Sequence, residues 1–352
     1  MSTPTATETE IGAGQPRSRT RSNTFRAVGL AVCVAVLFGV MLLSVWIGTK
    51  DIPFAAVWDV LLHNDGSSTA IIIHSYRIPR TLLALLIGAA LGLSGALLQA
   101  LTRNPLADPG LLGINLGAAS GVVIAIAFVG VGTVLGYVWF AFAGAAVASV
   151  VVYLLSSAGR SAATPDRLVL AGAALTAVLY AFNSAILLLN PRAFDAFRFW
   201  QVGSLAGRHM DVLLPVLPFI LAGIVLALAL VRPLNALALG EQLAGALGAR
   251  VGRTRVFGAI AVTLLCGAAT AAAGPIGFVG LAVPHMARLI VGPDQRWLLP
   301  YSALLAPILL LVSDIIGRTI NAPAEVEVGI VTAFLGAPVF LALCRRRRLA
   351  TL

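Results

Sequence analysis

The sequence predicts an all-α membrane protein that crosses a bilayer about ten times. Three observations support this fold class. Of the 352 residues, 59% are hydrophobic and only 11% are charged, and the mean hydropathy is +0.97, which is far from the composition of soluble globular proteins. The apolar residues form long runs without charge. Most of the basic residues fall between runs that would lie on the same side of a membrane.

The run from Leu82 to Leu101 is long enough to cross the hydrocarbon core, because ~20 residues at ~1.5 Å each span about 30 Å. It holds Gly88 and Gly92, a GxxxG pair that lets a neighbouring helix approach closely. The other uncharged runs are 27–49, 109–159, 168–191, 212–231, 256–287, 297–313 and 328–344. A glycine-rich reversal near 130–136 divides the second of these, and Gly274-Pro275 divides 256–287 into one helix and a shorter, irregular one. The expected total is ten spans.

Three regions follow from this pattern. Residues 1–24 are polar and rich in Thr, Ser and Arg, which predicts a disordered tail. Residues 25–345 form a single transmembrane domain, and 346–352 form a short basic tail. With ten spans and a cytoplasmic N-terminus, most basic residues lie inside, as the positive-inside rule requires. Both termini of this multi-pass cell-membrane protein are therefore expected in the cytoplasm, and the net charge of +10 indicates topology and contact with lipid rather than binding to nucleic acid.

The composition also excludes several kinds of chemistry. The chain has one lysine, Lys50, in the setting WIGTKD, so it cannot form a P-loop and is not expected to hydrolyse ATP. Its four histidines have no partner at ligand spacing, which predicts no metal site. The cysteines lie in apolar runs and are expected to pack as small apolar residues. No nucleophile, base and orienting group can be assembled, so we expect no catalytic residue, no enzyme activity and no cofactor in this chain.

A polar segment at 232–255 interrupts the membrane pattern between the sixth and seventh spans. It predicts two short amphipathic helices that are hinged at one glycine and ended by another. We expect its core, 234–249, to be a docking platform for a cytoplasmic partner, because short faces rich in Ala and Gly suit a protein groove. The alternative is a helix that rests on lipid headgroups. The residues expected to form this platform are Leu234, Leu237, Leu239, Gly240, Glu241, Leu247 and Gly248.

Asp314 and Arg318 are spaced i and i+4 near the end of the ninth span. This spacing predicts an intrahelical ion pair, which lowers the cost of placing charge near the membrane.

Taken together, these segments resemble the FecCD family of ABC-transporter permeases, the membrane subunits that import iron-siderophores, haem and vitamin B12. The matching stretches cover nearly all of the chain after the tail and occur in order. They are RIPRTLLALLIGAALGLSGALLQALTRNPLADPGLLG (77–113), FWQVGSLAG (199–207), LNALALGEQLAGALG (234–248), GPIGFVGLAVPHMARL (274–289) and SDIIGRTINAPAEVEVGIVTAFLGAPVFL (313–341). One departure is Glu327, where the family usually has proline, which leaves the turn before the tenth span undefined.

The resemblance implies the permease fold of the vitamin B12 importer, a type II ABC importer. It implies a second permease subunit, identical or homologous, around a central path. Two cytoplasmic ATP-binding subunits would bind ATP and magnesium and would couple to the platform at residues 234–249. An extracytoplasmic substrate-binding protein would deliver the cargo. The glycine-rich second span and the fifth span are expected to line the path. Asn104, Leu106 and Thr164 are expected at the cytoplasmic gate by position, and Arg77, Arg80 and Arg318 match the family's docking arginines for the binding protein.

The function expected from the resemblance is ATP-driven import of a ferric siderophore. Haem or vitamin B12 stays open as the cargo. A rival from another class is a secondary transporter driven by an ion gradient, which would need acidic groups within the membrane or a broken-helix ion site. A third interpretation is a receptor or scaffold that transports nothing.

Overall fold

The computed structural model describes residues 23–63, 65–157 and 165–345, and within these ranges the chain forms helices and no strand. The helices are α1 Asn23–Trp46, α2 Phe54–Leu62, α3 Ser68–Ile71, α4 Ile78–Thr102, α5 Ile114–Ile124, α6 Val134–Ser157, α7 Pro165–Leu189, α8 Pro191–Gln201, α9 Met210–Ala229, α10 Val231–Ala238, α11 Glu241–Ala246, α12 Val251–Ala273, α13 Val279–Val291, α14 Gln295–Thr319 and α15 Val328–Arg345. Two π-helical segments, Ile72–Arg77 and Ala125–Val129, and a 3₁₀ turn, Pro109–Leu112, complete the described structure.

Each of the ten predicted spans corresponds to one apolar helix. Seven helices of the described ranges are long and apolar enough to cross a membrane. Three more, Ile114–Val129, Val279–Val291 and Val328–Leu341, are apolar but shorter. The predicted reversal lies between the second π segment and α6, and the predicted break at Gly274-Pro275 separates α12 from α13. The all-α membrane fold class is confirmed. The predicted tails at 1–24 and 346–352 lie outside the described residues except for residues 23 and 24, which are helical because α1 already begins at Asn23.

The long helices alternate in direction, so their ends collect at two faces of the bundle. At one face, the guanidinium group of Arg318 near the end of α14 donates to Ser44 near the end of α1. We call this end the arginine face. At the other, the Tyr301 hydroxyl near the start of α14 donates to the Arg26 carbonyl near the start of α1. This end also carries α10 and α11, and we call it the platform face. The sequence did not predict α2, α3 or α8, the short helices at the arginine face.

Helix α4 lies at the centre of the bundle and is the most buried of the long apolar helices. It packs against α14, α12, α13 and α9. Helices α1 and α7 are the least buried of the long apolar helices, so most of their surface is left for lipid or for another subunit.

Glycines on α4 allow two neighbouring backbones to touch it directly. A Cβ atom at Gly88 would lie 2.5 Å from the Cα of Pro307 on α14, and one at Gly95 would lie 1.8 Å from the carbonyl oxygen of Gly280 on α13. Such distances leave no room for a side chain. The small residues seen in the sequence therefore join α4 to α13 and α14 by backbone contact, as the GxxxG pattern predicted.

We predict that Gly95→Ala destabilises the protein, whereas Gly39→Ala on α1 does not. The added methyl group at Gly95 must displace the backbone of α13, and overpacking costs about 1–3 kcal/mol or more. No atom of the described residues lies within 4 Å of the corresponding atom at Gly39, where alanine should gain helix propensity. Thermal unfolding of the purified variants in detergent measures both effects. Equal midpoints would contradict this description of the core.

Candidate functional site

A cavity of about 470 Å³ opens at the arginine face. It lies between the turn after α1, the π segment before α4, the loop before α9 and the end of α14. All three arginines expected to dock the binding protein line it. The full lining is Gly48, Thr49, Lys50, Ile72, Tyr76, Arg77, Arg80, Leu205, Ala206, Gly207, Arg208, Arg318 and Glu325.

Arg77 caps the end of α1 from inside the protein. Only 5% of the residue is exposed. Its guanidinium group donates to the carbonyl oxygens of Val45 at 3.0 Å and Lys50 at 2.6 Å, and also to that of Trp46. The last carbonyls of a helix lack intrahelical donors and carry partial negative charge, so a cation is stabilising there.

Arg318 caps the same helix end from α14 and is 2% exposed. It donates to the carbonyl oxygens of Ser44 and Ile47, both at 3.0 Å, and to the Ser44 hydroxyl at 2.8 Å. Its Nη2 also lies 3.0 Å from the carboxylate of Asp314, which confirms the predicted intrahelical ion pair.

Arg80 connects α4 to α14 and to the loop after it. Its Nη2 lies 2.7 Å from Asp314, and its Nε approaches both oxygens of the same carboxylate at 3.1 Å. Its Nη1 donates to Glu325 at 2.8 Å. Asp314 is therefore shared by two arginines, Arg80 and Arg318. The pair of Arg80 and Asp314 was not predicted from the sequence, because its members lie 234 positions apart.

The three expected docking arginines thus share one site, but their guanidinium groups are turned to partners within the chain. Their docking role stays a prediction. A fourth arginine that sequence reasoning did not single out, Arg208, lines the same cavity and is 7% exposed. Its Nε and Nη1 atoms are buried and have no hydrogen-bond partner in the part of the chain that the structure describes. No local pattern distinguishes Arg208 from the other basic residues of this face.

A proline accounts for the irregular start of α4. Pro79 has no N–H group to donate to the Ser75 carbonyl four residues earlier, where an α-helix would require one. The backbone forms a π-helical segment over Ile72–Arg77 instead. A ring nitrogen of His209 lies 2.9 Å from the Ser75 oxygen. This contact joins the start of α4 to the loop that holds Arg208.

At the platform face, α10 and α11 form the predicted pair of short helices. Gly240 separates them with φ +101°, and Gly248 ends the second with φ +81°, so the hinge and the stop are confirmed. Leu234 and Leu237 are buried against the bundle and hold α10 in place. The exposed leucines of this segment are Leu239, Leu243 and Leu247. We call these three residues the leucine row.

The platform formed by α10 and α11 is fixed to the bundle by two polar residues, Asn235 and Glu241. Glu241 forms ion pairs with Arg255 at the start of α12 and, at 3.6 Å, with Arg103 at the end of α4. The Asn235 amide donates to Asp294 at 2.7 Å, and its oxygen accepts from the Gln295 backbone at 2.9 Å. The coupling role of the seven predicted residues stays a prediction. The structure divides their leucines into a buried pair, Leu234 and Leu237, and an exposed pair, Leu239 and Leu247.

The predicted gate residues lie in the turn that follows α4. Arg103 ends the helix in the left-handed conformation, with φ 49°. The Asn104 side chain then accepts from the Leu106 backbone at 2.9 Å, and both residues are exposed. Thr164, the third predicted gate residue, lies outside the described residues. The gate role of all three residues stays a prediction.

The expectation that the second span lines an open path is wrong for this subunit, because α4 is enclosed by its neighbours. The fifth span, α7, is largely exposed. The prediction for the second span fails because of packing. The glycines of α4 that suggested a path allow the backbones of neighbouring helices to touch it instead.

These features define a polytopic helical membrane protein with a platform of two short helices, α10 and α11, at one end and a cavity lined by arginines at the other. The FecCD transport family model matches residues 34–346, and the chain belongs to this family. It is 49% identical over 323 residues to the ferric enterobactin transport system permease protein FepD of Escherichia coli (strain K12), covering 92% of this chain and 96% of that one. It is 40% identical over 316 residues to YfiZ of Bacillus subtilis (strain 168), named as a probable siderophore transport system permease, covering 90% and 92%. A solved metal-chelate type ABC transporter in an inward-facing conformation superposes with a TM-score of 0.80 at 28% identity, covering 91% of this chain and 99% of that one.

We predict that Arg77→Gln lowers the free energy of unfolding by about 2–3 kcal/mol, because hydrogen bonds from a charged donor each contribute about 1.5–3 kcal/mol. Arg192→Gln, an equal loss of charge at an exposed site on α8, should leave stability unchanged. Thermal unfolding in detergent compares the two. An unchanged midpoint for Arg77→Gln would mean that the guanidinium group does not stabilise the end of α1.

Proposed function

We propose that this chain is the permease subunit of an ATP-binding-cassette importer that carries a ferric siderophore across the cell membrane. It would work with a second permease subunit, two cytoplasmic ATP-binding subunits and an extracytoplasmic binding protein. ATP and magnesium would bind to the partner ATPase, since this chain has no phosphate-binding lysine motif.

The main support for this proposal is the platform formed by α10 and α11. Leu243 on α11 is 60% exposed, with Leu239 and Leu247 exposed beside it, while the buried leucines of α10 anchor the segment. An exposed apolar row on a short anchored helix suits a groove on a partner protein. A headgroup helix would present basic residues beside its apolar side, but the α11 sequence EQLAGA contains none.

Charge distribution supports the orientation. The platform face carries Arg103, Arg232, Arg250, Arg253, Arg255 and Arg296 in its turns and helix ends. Basic residues near span ends favour the cytoplasm. We therefore place the platform and both termini in the cytoplasm and the arginine face outside.

Glu241 provides a physical link between the platform and the gate turn. It pairs with Arg103, and Arg103 is followed directly by Asn104. A movement of α11 driven by an ATPase subunit would shift the Glu241 carboxylate relative to Arg103, the residue that ends α4, without any intervening segment. ATP binding would in this way bias the equilibrium between outward-facing and inward-facing conformations.

The ferric siderophore is proposed as cargo because of the 49% identity to a ferric enterobactin permease. The ion-coupled alternative needs a free acidic group in the membrane. Asp314, the acid in the ninth span, is already neutralised by two arginines, which disfavours that alternative.

We expect proteoliposomes that contain the permease, its ATPase subunit and its binding protein to take up ferric enterobactin only with ATP. The permease alone should show no ATPase activity. Cobalamin and haem serve as control cargoes. Uptake driven by a proton or sodium gradient without ATP would contradict the proposal, and uptake of only a control cargo would change the substrate.

We further predict that Leu243→Asp abolishes association with the ATPase subunit, because the exposed leucine becomes a charge that must be desolvated in the groove. Gln242→Glu is the matched control, since it adds the same charge one residue away. Co-purification and the thermal midpoint are measured together. If Leu243→Asp keeps the ATPase bound at an unchanged midpoint, the leucine row is not the docking surface.

A further inference from the structure

A second cavity, of about 330 Å³, opens on the flank of the bundle between α6 and α12. We call it the α6–α12 groove. Its rim is formed by exposed, bulky residues, among them Leu154 on α6 and Val256 and Ile260 on α12. Smaller and less exposed residues, Ala146 and Ala259, lie between them. Its described lining includes no charged residue, so the groove is a narrow apolar slot between two helices that can cross a membrane.

The groove covers about the depth of one leaflet. Tyr153 and Val256 lie at its platform end, and Phe142 and Leu264 lie at its other end. On α12 it therefore runs from about 8 Å to about 20 Å from the start of the helix, at about 1.5 Å per residue. Half of a hydrocarbon core about 30 Å thick is about 15 Å. The groove thus begins near the platform face and ends near the middle of the bilayer.

One cation lies at the platform end of the groove, on the same side of α12. Arg253 precedes Val256 by three residues and Ile260 by seven, which places all three on one stripe of the helix. Arg253 is exposed, and its guanidinium group forms no hydrogen bond or ion pair within the described part of the chain. Arg255, by contrast, is turned inward and pairs with Glu241. The charge of Arg253 is therefore left above the open end of the groove.

We propose that the α6–α12 groove binds an anionic phospholipid from the leaflet at the platform face. One acyl chain lies in the groove, and the phosphate contacts Arg253. Basic residues beside a cleft between spans attract anionic headgroups, and neither α6 nor α12 contains an acidic residue that would repel them. The half-buried ring of Tyr153 lies at the depth where amphipathic aromatic residues meet the membrane interface. The inference goes beyond the proposed function, because it holds whichever cargo is carried.

The shape of the groove favours an acyl chain over a helix of a second permease subunit. Helices approach each other closely in a membrane where small residues form the contact surface. Here the small residues are recessed, and the rim is made of larger ones such as Leu154 and Ile260. Two glycines of these helices, Gly144 and Gly258, already contact neighbours within the chain. A flexible chain can enter such a slot, whereas a helix about 10 Å wide cannot.

The test measures lipid binding to the purified permease in detergent, together with any subunits that co-purify with it. Dioleoyl phosphatidylglycerol and dioleoyl phosphatidylcholine are titrated separately, and the thermal midpoint is followed. The two lipids have the same chains and differ in charge. We expect the anionic lipid to raise the midpoint with a half-saturating concentration about fivefold lower, since one basic residue near the surface favours it by about this factor. Dihexanoyl phosphatidylglycerol should bind far more weakly, because its short chains bury little of the groove.

Two variants test the headgroup and the chain separately. Arg253→Gln should weaken binding of the anionic lipid about fivefold and leave that of the zwitterionic lipid unchanged. Arg296→Gln, the matched control at the exposed start of α14 on the same face, should change either affinity less than about twofold. Ala259→Trp fills the groove and should weaken both lipids about tenfold or more. Val225→Trp, at an exposed site on α9 outside the groove, should weaken neither.

Three outcomes would overturn the inference. Equal affinity for the two dioleoyl lipids would mean that the groove makes only non-specific contact with surrounding lipid. Unchanged affinity for the anionic lipid in folded Arg253→Gln or in folded Ala259→Trp would mean that the lipid binds elsewhere. Loss of a second permease subunit from Ala259→Trp, with lipid binding unchanged in Arg253→Gln, would assign the groove to a subunit interface. The midpoint without added lipid shows whether each variant is folded, and either variant alone is sufficient for the test.

Discussion

The carboxylate of Asp314 is the interaction on which the arginine face depends. It lies inside the bundle and binds Arg80 from α4 and Arg318 from its own helix. Arg318 in turn caps α1, beside Arg77. Three long helices therefore meet through one acidic group. Removing one partner of a buried pair costs about 3–5 kcal/mol, because the remaining charge is left uncompensated, so this end of the molecule is held rigidly.

The platform face is fixed by weaker contacts. Glu241 is about half exposed, and one of its two partners, Arg103, is also exposed. Exposed ion pairs contribute about 0–1 kcal/mol, so the contact of Glu241 with Arg103 can break and form again at little cost. The two ends of the molecule thus differ in the way that proposed ATP-driven coupling requires. The platform can move without breaking the buried charges of the opposite face.

Much of this architecture could be predicted from local patterns. Uncharged runs located the ten apolar helices, glycines marked the hinge at 240, and i,i+4 spacing predicted the Asp314–Arg318 pair. The contact of Arg80 with Asp314 could not be predicted, because residues 234 positions apart leave no periodic signal. The capping of α1 depends on packing in the same way. The glycines of α4 were correctly interpreted as sites of close approach between helices but wrongly as the lining of a path. A glycine pattern indicates a close neighbour, but it does not tell which surface of the helix that neighbour occupies.

Backbone contacts divide the described helices into two tightly joined groups. Helix α4 touches α13 and α14 through glycines, and α5 touches α6 in the same manner, where a Cβ atom at Gly121 would lie 2.0 Å from the Phe140 oxygen. Helix α12 packs against both groups, but its contacts at Gly258 and Gly267 are with side chains, those of Leu101 and Phe142. Side chains can change rotamer, whereas touching backbones must move together. A rocking movement between two conformations therefore disturbs the least packing if it takes place along α12. The second turn of this helix carries Arg255, a partner of Glu241.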